Sequence, residues 1–344
     1  PGLYSLQNSV GPLPLSKELA SKVGVNGIYA SASIGYKSLI YLDGTIRRDH
    51  SSTLPVGNSV YYYPSVAASF VFSNLIPENK VLSYGKVRLN YAMVGNSASY
   101  DQLTDNYNII TPLNSPITSV PGTKKNSNLL PEKTRSIEGG LEMYFFGRRI
   151  GFDAAYYNSN TSNQILPLAV STATGYTYKI INAGQIQNQG VEISLNATPV
   201  KTKKFQWNMT INWAKNWNKV LSLAEGVENL QLGSYQGGVS INARVGQPYG
   251  IICGTDYITI NGNPVGESDS ARLINPANGR FYKTATSDNV IGNINPDWTG
   301  GWLNSFSWGG WNLSFLVDVS MGGDIFSLDM YYGLATDCTT KLLI

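Results

Sequence analysis

The densest group of chemically able side chains is Arg48-Asp49-His50-Ser51-Ser52, which contains the sole histidine. A hydroxyl–imidazole–carboxylate relay can be drawn there on paper. Consecutive residues seldom supply it, because triad groups converge on one point from different parts of a fold. Glu138 and Glu142 are the next candidates, as the acid and base of a glycosidase. On one extended strand they stand about 13 Å apart, too far for that pair. No phosphate-binding Gly loop ending in Gly-Lys-Ser/Thr is present, nor any metal-ligand cluster. Cys253 and Cys338 stand in no metal-ligand spacing; they can pair in an oxidising compartment, but two cysteines do not decide it. No catalytic residue, metal or cofactor is expected, and an enzyme is the least favoured class.

The chain has 344 residues, enough for two ordinary domains or one large all-β domain. Only 14% are charged, whereas Tyr (22) and Gly (35) are abundant, as in β-rich proteins with long polar loops. A scattered net charge of +3 gives no footprint for nucleic acid. There is no run of 18 apolar residues, hence no spanning helix. A β-barrel would share that absence. Pro1 is not a native start, so a mature, cut or incompletely observed polypeptide is expected.

The elements that must position these residues are strands. Phe205-Gln206-Trp207-Asn208-Met209-Thr210-Ile211-Asn212-Trp213 alternates large apolar with small polar residues at period two. At a tilt near 40° it covers roughly 20 Å of height, close to the apolar band of an outer-membrane barrel, with aromatics towards both ends. A half-buried sandwich strand alternates too. Similar patterns predict strands at 26–36, 38–48, 62–73, 85–95, 134–146, 150–160, 188–198, 205–215, 297–307 and 311–320. Asp43 and Ile46 leave the alternation over 38–48 imperfect, and Asn304 beside Trp302 and Phe306 predicts a bulge or register error within 297–307. Short links at 36–37, 147–149, 199–204 and 309–310, with a medium one at 74–84, roughly alternate with long ones at 50–61, 95–133, 161–187 and 216–296. That pattern favours a transmembrane antiparallel β-barrel over a compact soluble domain. Within the long links, 218–226 predicts one short helix and Asn261-Gly262 a tight hairpin turn; little other regular structure is expected.

On the barrel reading, Phe205, Trp207, Met209, Ile211, Trp213, Trp311, Leu313, Phe315 and Val317 face lipid. Asp43, Arg47, Arg88, Glu138, Glu142, Asp153, Glu192 and Asp318 then line a lumen, bridging one another or holding a plug. Stacking platforms for a sugar would come from the loop aromatics Tyr61, Tyr62, Tyr107 and Tyr235, against ordinary loop packing as the blander role. The basic turns at Arg148, Arg149, Lys201, Lys203 and Lys204 form a solvated rim or touch lipid phosphates.

Several motifs, in order, resemble the SusC/RagA family. They are Arg48-Asp49-His50-Ser51-Ser52-Thr53-Leu54-Pro55, Tyr63-Pro64-Ser65-Val66, Asn182-Ala183-Gly184-Gln185 through Gly190-Val191-Glu192, and Val245-Gly246-Gln247-Pro248-Tyr249-Gly250. Ile291-Gly292-Asn293-Ile294-Asn295-Pro296-Asp297-Trp298 and Gly322-Gly323-Asp324-Ile325 complete the set, which spans nearly the whole chain. The resemblance implies a TonB-linked outer-membrane importer of oligosaccharides or peptides in a Gram-negative, Bacteroidetes-type bacterium. It further implies about 22 barrel strands, a plug, a TonB-engaging segment and a SusD-like surface lipoprotein as partner. Residues 1–344 are then expected to be a partial barrel domain with long extracellular loops, without the plug and the final strands, so TonB would act through a missing N-terminal part. Relatives share the motif around His50 without being hydrolases. Asn275-Pro276-Ala277-Asn278-Gly279-Arg280 departs from the family's Asp-rich stretch, so no cation site carries over. Gly184 and Gly190 are expected to turn the chain into the strand at Val191, and Asn295-Pro296-Asp297 to start a strand. Loop tyrosines Tyr100, Tyr107, Tyr235, Tyr249 and Tyr257 are the expected anchors for the lipoprotein. The rival from another class is a soluble β-sandwich or adhesin that binds glycans.

Overall fold

The computed structural model describes residues 20–77, 79–110, 117–264 and 271–335. Cys338, the 265–270 part of the longest loop and the C-terminal Leu342-Leu343-Ile344 lie outside the described residues. The period-two segments form one 10-stranded antiparallel sheet in strict chain order. Its strands are β1 (Val25–Tyr36), β2 (Ile40–Ser51), β3 (Val60–Phe70), β4 (Leu82–Asn96), β5 (Glu132–Phe145), β6 (Ile150–Ser162), β7 (Gln185–Lys201), β8 (Phe205–Ser222), β9 (Trp298–Trp308) and β10 (Trp311–Met321). Each strand pairs only with its neighbours in sequence, and β1 and β10 do not pair with each other among the described residues. The sheet is therefore an open arc of wall.

Among the described residues no second sheet covers its apolar face. Ile28 is 73% exposed, Leu89 59%, Ile137 56% and Leu313 64%, so bare apolar side chains run from β1 to β10. A sandwich would bury such a face against another sheet, and a soluble monomer rarely exposes so large a patch. The soluble sandwich is overturned. No helix among the described residues is long and apolar enough to cross a membrane, which says nothing against crossing by strands.

Most strand boundaries match the periodicity within a few residues; the corrections are local. Strand β2 alternates strictly: Asp43 pairs with Ala67 and Arg47 with Tyr63 on one face, while Ile46 opposes Pro64 on the other. Gly44 simply fills the apolar-face slot between Leu42 and Ile46. The helix expected over 218–226 does not form, because β8 continues to Ser222. Asn218 stays in register with Asn188 and Val220 with Ile186, Val220 is fully buried, and the Asn218 Oδ1 accepts from the Tyr249 amide at 2.6 Å. No bulge occurs at Asn304, since β9 keeps register with β8 and β10 throughout. Instead the Trp207 indole Nε1 donates to Asn304 Oδ1 at 3.1 Å, which lets an amide sit among Trp302, Phe306 and Phe315.

Links 37–39, 71–81, 146–149, 202–204 and 309–310 lie at one end, and 52–59, 97–131, 163–184 and 223–297 at the other. The 52–59 link is shorter than expected because β2 runs on to Ser51 and β3 starts at Val60. The other long links are more regular than the sequence predicts. Asn229–Tyr235, Val239–Arg244, Tyr249–Gly254 and Asn289–Asn293 form a 4-stranded sheet, and smaller sheets and a Leu328–Ala335 helix accompany it. The Asn261-Gly262 turn forms, with the Gly262 amide donating to Thr259 O at 2.9 Å. A small core of Leu54, Ala98, Leu129 and Ile180, with Tyr61 packed against it, sits at this end.

Gly184 and Gly190 play different parts from the expected shared turn. Gly184 takes φ +87 just before β7, whereas Gly190 lies inside β7 under the Tyr157 ring, which a Cβ would strike. Tyr157 lies over it to donate to Asn216 Oδ1 at 3.0 Å. Gly190→Val should destabilise the full-length protein by about 1–3 kcal/mol through overpacking. Gly139→Val, which meets nothing within 4 Å, should not. Heat-modifiable gel migration checks this: the Gly190 variant should unfold at a lower temperature than wild type, and the Gly139 variant at the same one.

Candidate functional site

Register across the sheet sorts the carboxylates. Every Asp and Glu of the ten strands, including Asp43, Glu138, Glu142, Asp153, Glu192 and Asp318, projects from one face together with Arg47, Lys86 and Arg88. Phe205, Trp207, Met209, Ile211, Trp213, Trp311, Leu313, Phe315 and Val317 all project from the other. A single cause accounts for both sets: each strand keeps period two, and antiparallel pairing brings like faces side by side.

The charged face carries a recess of about 710 Å³, lined among others by Arg88, Glu138, Asp153, Glu192, Asn212 and Asp318. Arg88 organises it. Its guanidinium forks onto Asp153 on β6, with Nη1 to Oδ2 at 2.7 Å and Nη2 to Oδ1 at 2.9 Å, and its Nε reaches Glu138 Oε1 at 3.4 Å. To reach β6 from β4 the side chain crosses Gly140 on β5, where a Cβ would lie 2.5 Å from Cζ. Lys86 pairs with Glu142 beside it. Glu192 and Asp318 form no ion pair among the described residues, so carboxylates exceed cations and the recess is acidic. Asp43 lies in a neighbouring recess of about 390 Å³ with Tyr41, Tyr84 and Lys86. Towards the long-loop end, Arg47 Nε donates to both oxygens of the buried Asp49 at 2.8 and 3.0 Å, beside the tilted pair Tyr61 and Tyr63 at 5.0 Å between ring centroids.

Such a face can hold water, cations and hydroxyl- or amide-rich solutes. It does not assemble the relay drawn around His50. Alternation places His50 on the apolar side and Asp49 on the charged side, while the buried Ser51 is hydrogen-bonded to Thr53 Oγ1 at 2.9 Å. Glu138 and Glu142 are each taken up by a cation. Among the described residues no His/Cys/Asp/Glu group is arranged to hold a metal.

The four tyrosines expected as sugar platforms do not come together. Tyr61 and Tyr62 belong to β3 rather than a loop and face opposite ways, Tyr61 towards the small core and Tyr62 outward at 56% exposure. Tyr107 and Tyr235 are exposed on separate links. In the loops, the Lys125 amide and the Lys124 ammonium hold the Asp105 carboxyl below its usual range, and burial pushes the Cys253 thiol up.

Several motifs singled out in the sequence fasten the loops to one another and, at β8, to the wall. Asn182 accepts from the Leu130 amide at 2.7 Å and donates to Leu130 O at 2.8 Å and Asn163 O at 3.0 Å. Gly246 N donates to Val220 O, and Val220 N to Gln247 O, tying the Gln247-Pro248 turn to β8. Asn295 Nδ2 donates to Tyr249 O at 2.7 Å, and the Asp324 carboxylate accepts from the Asn293 amide at 2.8 Å while its own amide donates to Asn293 O at 2.7 Å. Sequence reasoning could name these motifs but not this collar, because its partners lie tens of residues apart. Asp324→Ala should loosen it: limited proteolysis of the full-length protein should cut within 255–288 several-fold faster while β9 and β10 stay intact. An unchanged cleavage rate would contradict the fastening role.

Comparison with known proteins agrees with this architecture. The family model described as TonB dependent receptor-like, beta-barrel matches residues 4–337. TonB-dependent receptor P26 of Formosa agariphila is 26% identical over 349 residues, covering 96% of this chain and 35% of the relative. TonB-dependent receptor SusC of Bacteroides thetaiotaomicron is 28% identical over 193 residues, covering 53% of this chain and 19% of the relative. The structure of the RagAB peptide transporter superposes with a TM-score of 0.77 at 19% identity, covering 94% of this chain and 37% of that one, which shows the fold. The chain thus spans about a third of P26's length, and its setting is the outer membrane. A family match over nearly all of its residues, on an unclosed all-β wall sorted into charged and apolar faces, means that the chain belongs to the TonB dependent receptor-like β-barrel family.

Proposed function

We propose that these residues form part of the barrel wall of a SusC/RagA-type, TonB-dependent importer of large nutrients, oligosaccharides or peptides. In this reading the charged face lines a water-filled, plugged lumen, the apolar face meets lipid, and the long links are extracellular. TonB acts through a segment outside this chain, and a SusD-like lipoprotein closes over the cargo at the long-loop end. The observation that carries it is the sorting of every strand carboxylate onto the face opposite the bare apolar side chains. A lysine or arginine on the lipid side costs about 2–4 kcal/mol at mid-bilayer and a carboxylate less, so the face that carries every strand carboxylate is turned to the lumen. The named neighbours support a large polar cargo, since RagAB is a peptide transporter. The acidic recess and the tyrosine-rich loops suit polar solutes and adaptable interfaces.

Spin labels at Met209, Ile211, Leu313, Phe315 and Val317 in the full-length protein should be quenched by lipid-soluble oxygen more than by an aqueous nickel chelate. Stronger quenching by the chelate would sink the barrel orientation. For the partner, replacing the exposed Tyr107 and Tyr235 by Ser should reduce co-purification of the lipoprotein and leave heat-modifiable migration intact. Complete transporter that never recovers such a lipoprotein would refute the partner.

A further inference from the structure

The apolar face is not apolar along its whole height. Towards the long-loop end it carries Arg48, Lys133, Arg135, Lys215 and Lys219, with Asn160 and Gln187 between them on β6 and β7. Arg135 is in register with Asn160, Asn160 with Gln187, and Gln187 with Lys219, so cations and amides form a continuous row across β5 to β8. Arg48, in register with Tyr62, stands apart from the row on β2 of the same face. No Asp or Glu of the ten strands shares this face, and none of these cations forms an ion pair among the described residues. Arg48, Arg135 and Lys219 are exposed, and Lys215 lies 5.4 Å over the Trp217 ring.

Height fixes what these cations meet. A strand tilted near 40° rises about 2.5 Å per residue. Phe145 to Arg135 on β5 and Phe205 to Lys215 on β8 therefore each climb roughly 25 Å, the height of an outer-membrane barrel's apolar band. Below the row lie Leu141, Met143, Met209 and Ile211; beside it lie Trp213 and Trp217 at the level of an interfacial girdle. Cations without acidic partners, facing outward at the upper edge of the apolar band, match an anionic headgroup layer.

We propose that this outward row binds the phosphate groups of the glycolipid in the outer leaflet. The proposal rests on the apolar face meeting lipid, as in the proposed function. Lys and Arg heads reach the phosphates while the amides of Asn160 and Gln187 meet the sugar hydroxyls beside them.

The test uses the full-length transporter in detergent, titrated with bisphosphorylated lipid A and followed by native mass spectrometry. The combined variant Arg48→Gln, Arg135→Gln, Lys215→Gln and Lys219→Gln should bind lipid A at least about fivefold more weakly than wild type. Dephosphorylated lipid A should bind wild type no better than the variant binds the phosphorylated form. A control carrying Lys201→Gln, Lys203→Gln and Lys204→Gln at the opposite end should bind like wild type. Equal affinity of wild type and the combined variant, indifference to the phosphates, or an equal loss in the control would each overturn the proposal. So would loss of lipoprotein co-purification with lipid A affinity unchanged, which would give the row to a protein partner. The spin labels separate the two levels: chelate quenching at Met209 and Leu313 removes the orientation itself, whereas oxygen quenching with unchanged lipid A affinity removes only this inference.

Discussion

A shared antiparallel register across ten strands decides which face of the wall each side chain occupies. Because the side-chain period is two, one slipped residue in a strand would exchange its whole charged set for its apolar set. The register holds through the middle of every strand from β1 to β10, and the shifts fall near strand ends, at Leu82/Tyr84 in β4 and at Gln185/Ile186 and Ala197/Val200 in β7. Hydrocarbon makes that regularity necessary, since a backbone amide without a partner has no water to turn to. Asn304, buried on the apolar side, has its carbonyl oxygen engaged by the Trp207 indole, while its Nδ2 has no partner among the described residues.

The two ends of the wall follow a different logic. Most turn-end links are brief, whereas the longer loop-end links fold into small sheets and are stitched to one another and to β8 by Asn182, Asn218, Asn295 and Asp324. Each of these side chains satisfies backbone groups that a lone loop would leave to solvent. The result is a hydrogen-bonded collar from which exposed residues such as Tyr107 and Tyr235 project. Recognition carried by loops on a fixed scaffold is the common arrangement where a fold must serve many ligands. The charged face below carries an acidic recess, with Arg88 locked between Asp153 and Glu138.

The strands were legible because their signal is local: Trp311, Leu313, Phe315 and Val317 alternate with Asn312, Ser314 and Asp318 regardless of what lies beside them. The sorting of charges was legible for the same reason. The end of β8 was not, since Asn218, Val220 and Leu221 suit a capped helix equally well, and only the ladder to β7 and the Tyr249 amide hold them extended. The bulge expected at Asn304 failed because its partner, Trp207, is remote in sequence. Loop strands such as Val239–Arg244 and Tyr249–Gly254 were missed for a related reason: they are short and largely buried, without clean alternation, and their pairing carries the information. The same holds for Tyr61 and Tyr62, whose roles were set by the start of β3 at Val60.

The most direct measurement of the central claim is a cryo-electron microscopy structure of the full-length protein in a lipid nanodisc. A closed barrel should continue beyond β1 and β10, with Arg88, Asp153, Glu192 and Asp318 turned to its interior and the Trp311-to-Val317 row against lipid density. Carboxylates of these strands directed at acyl chains, or the ten strands folded face to face with a second sheet, would contradict it.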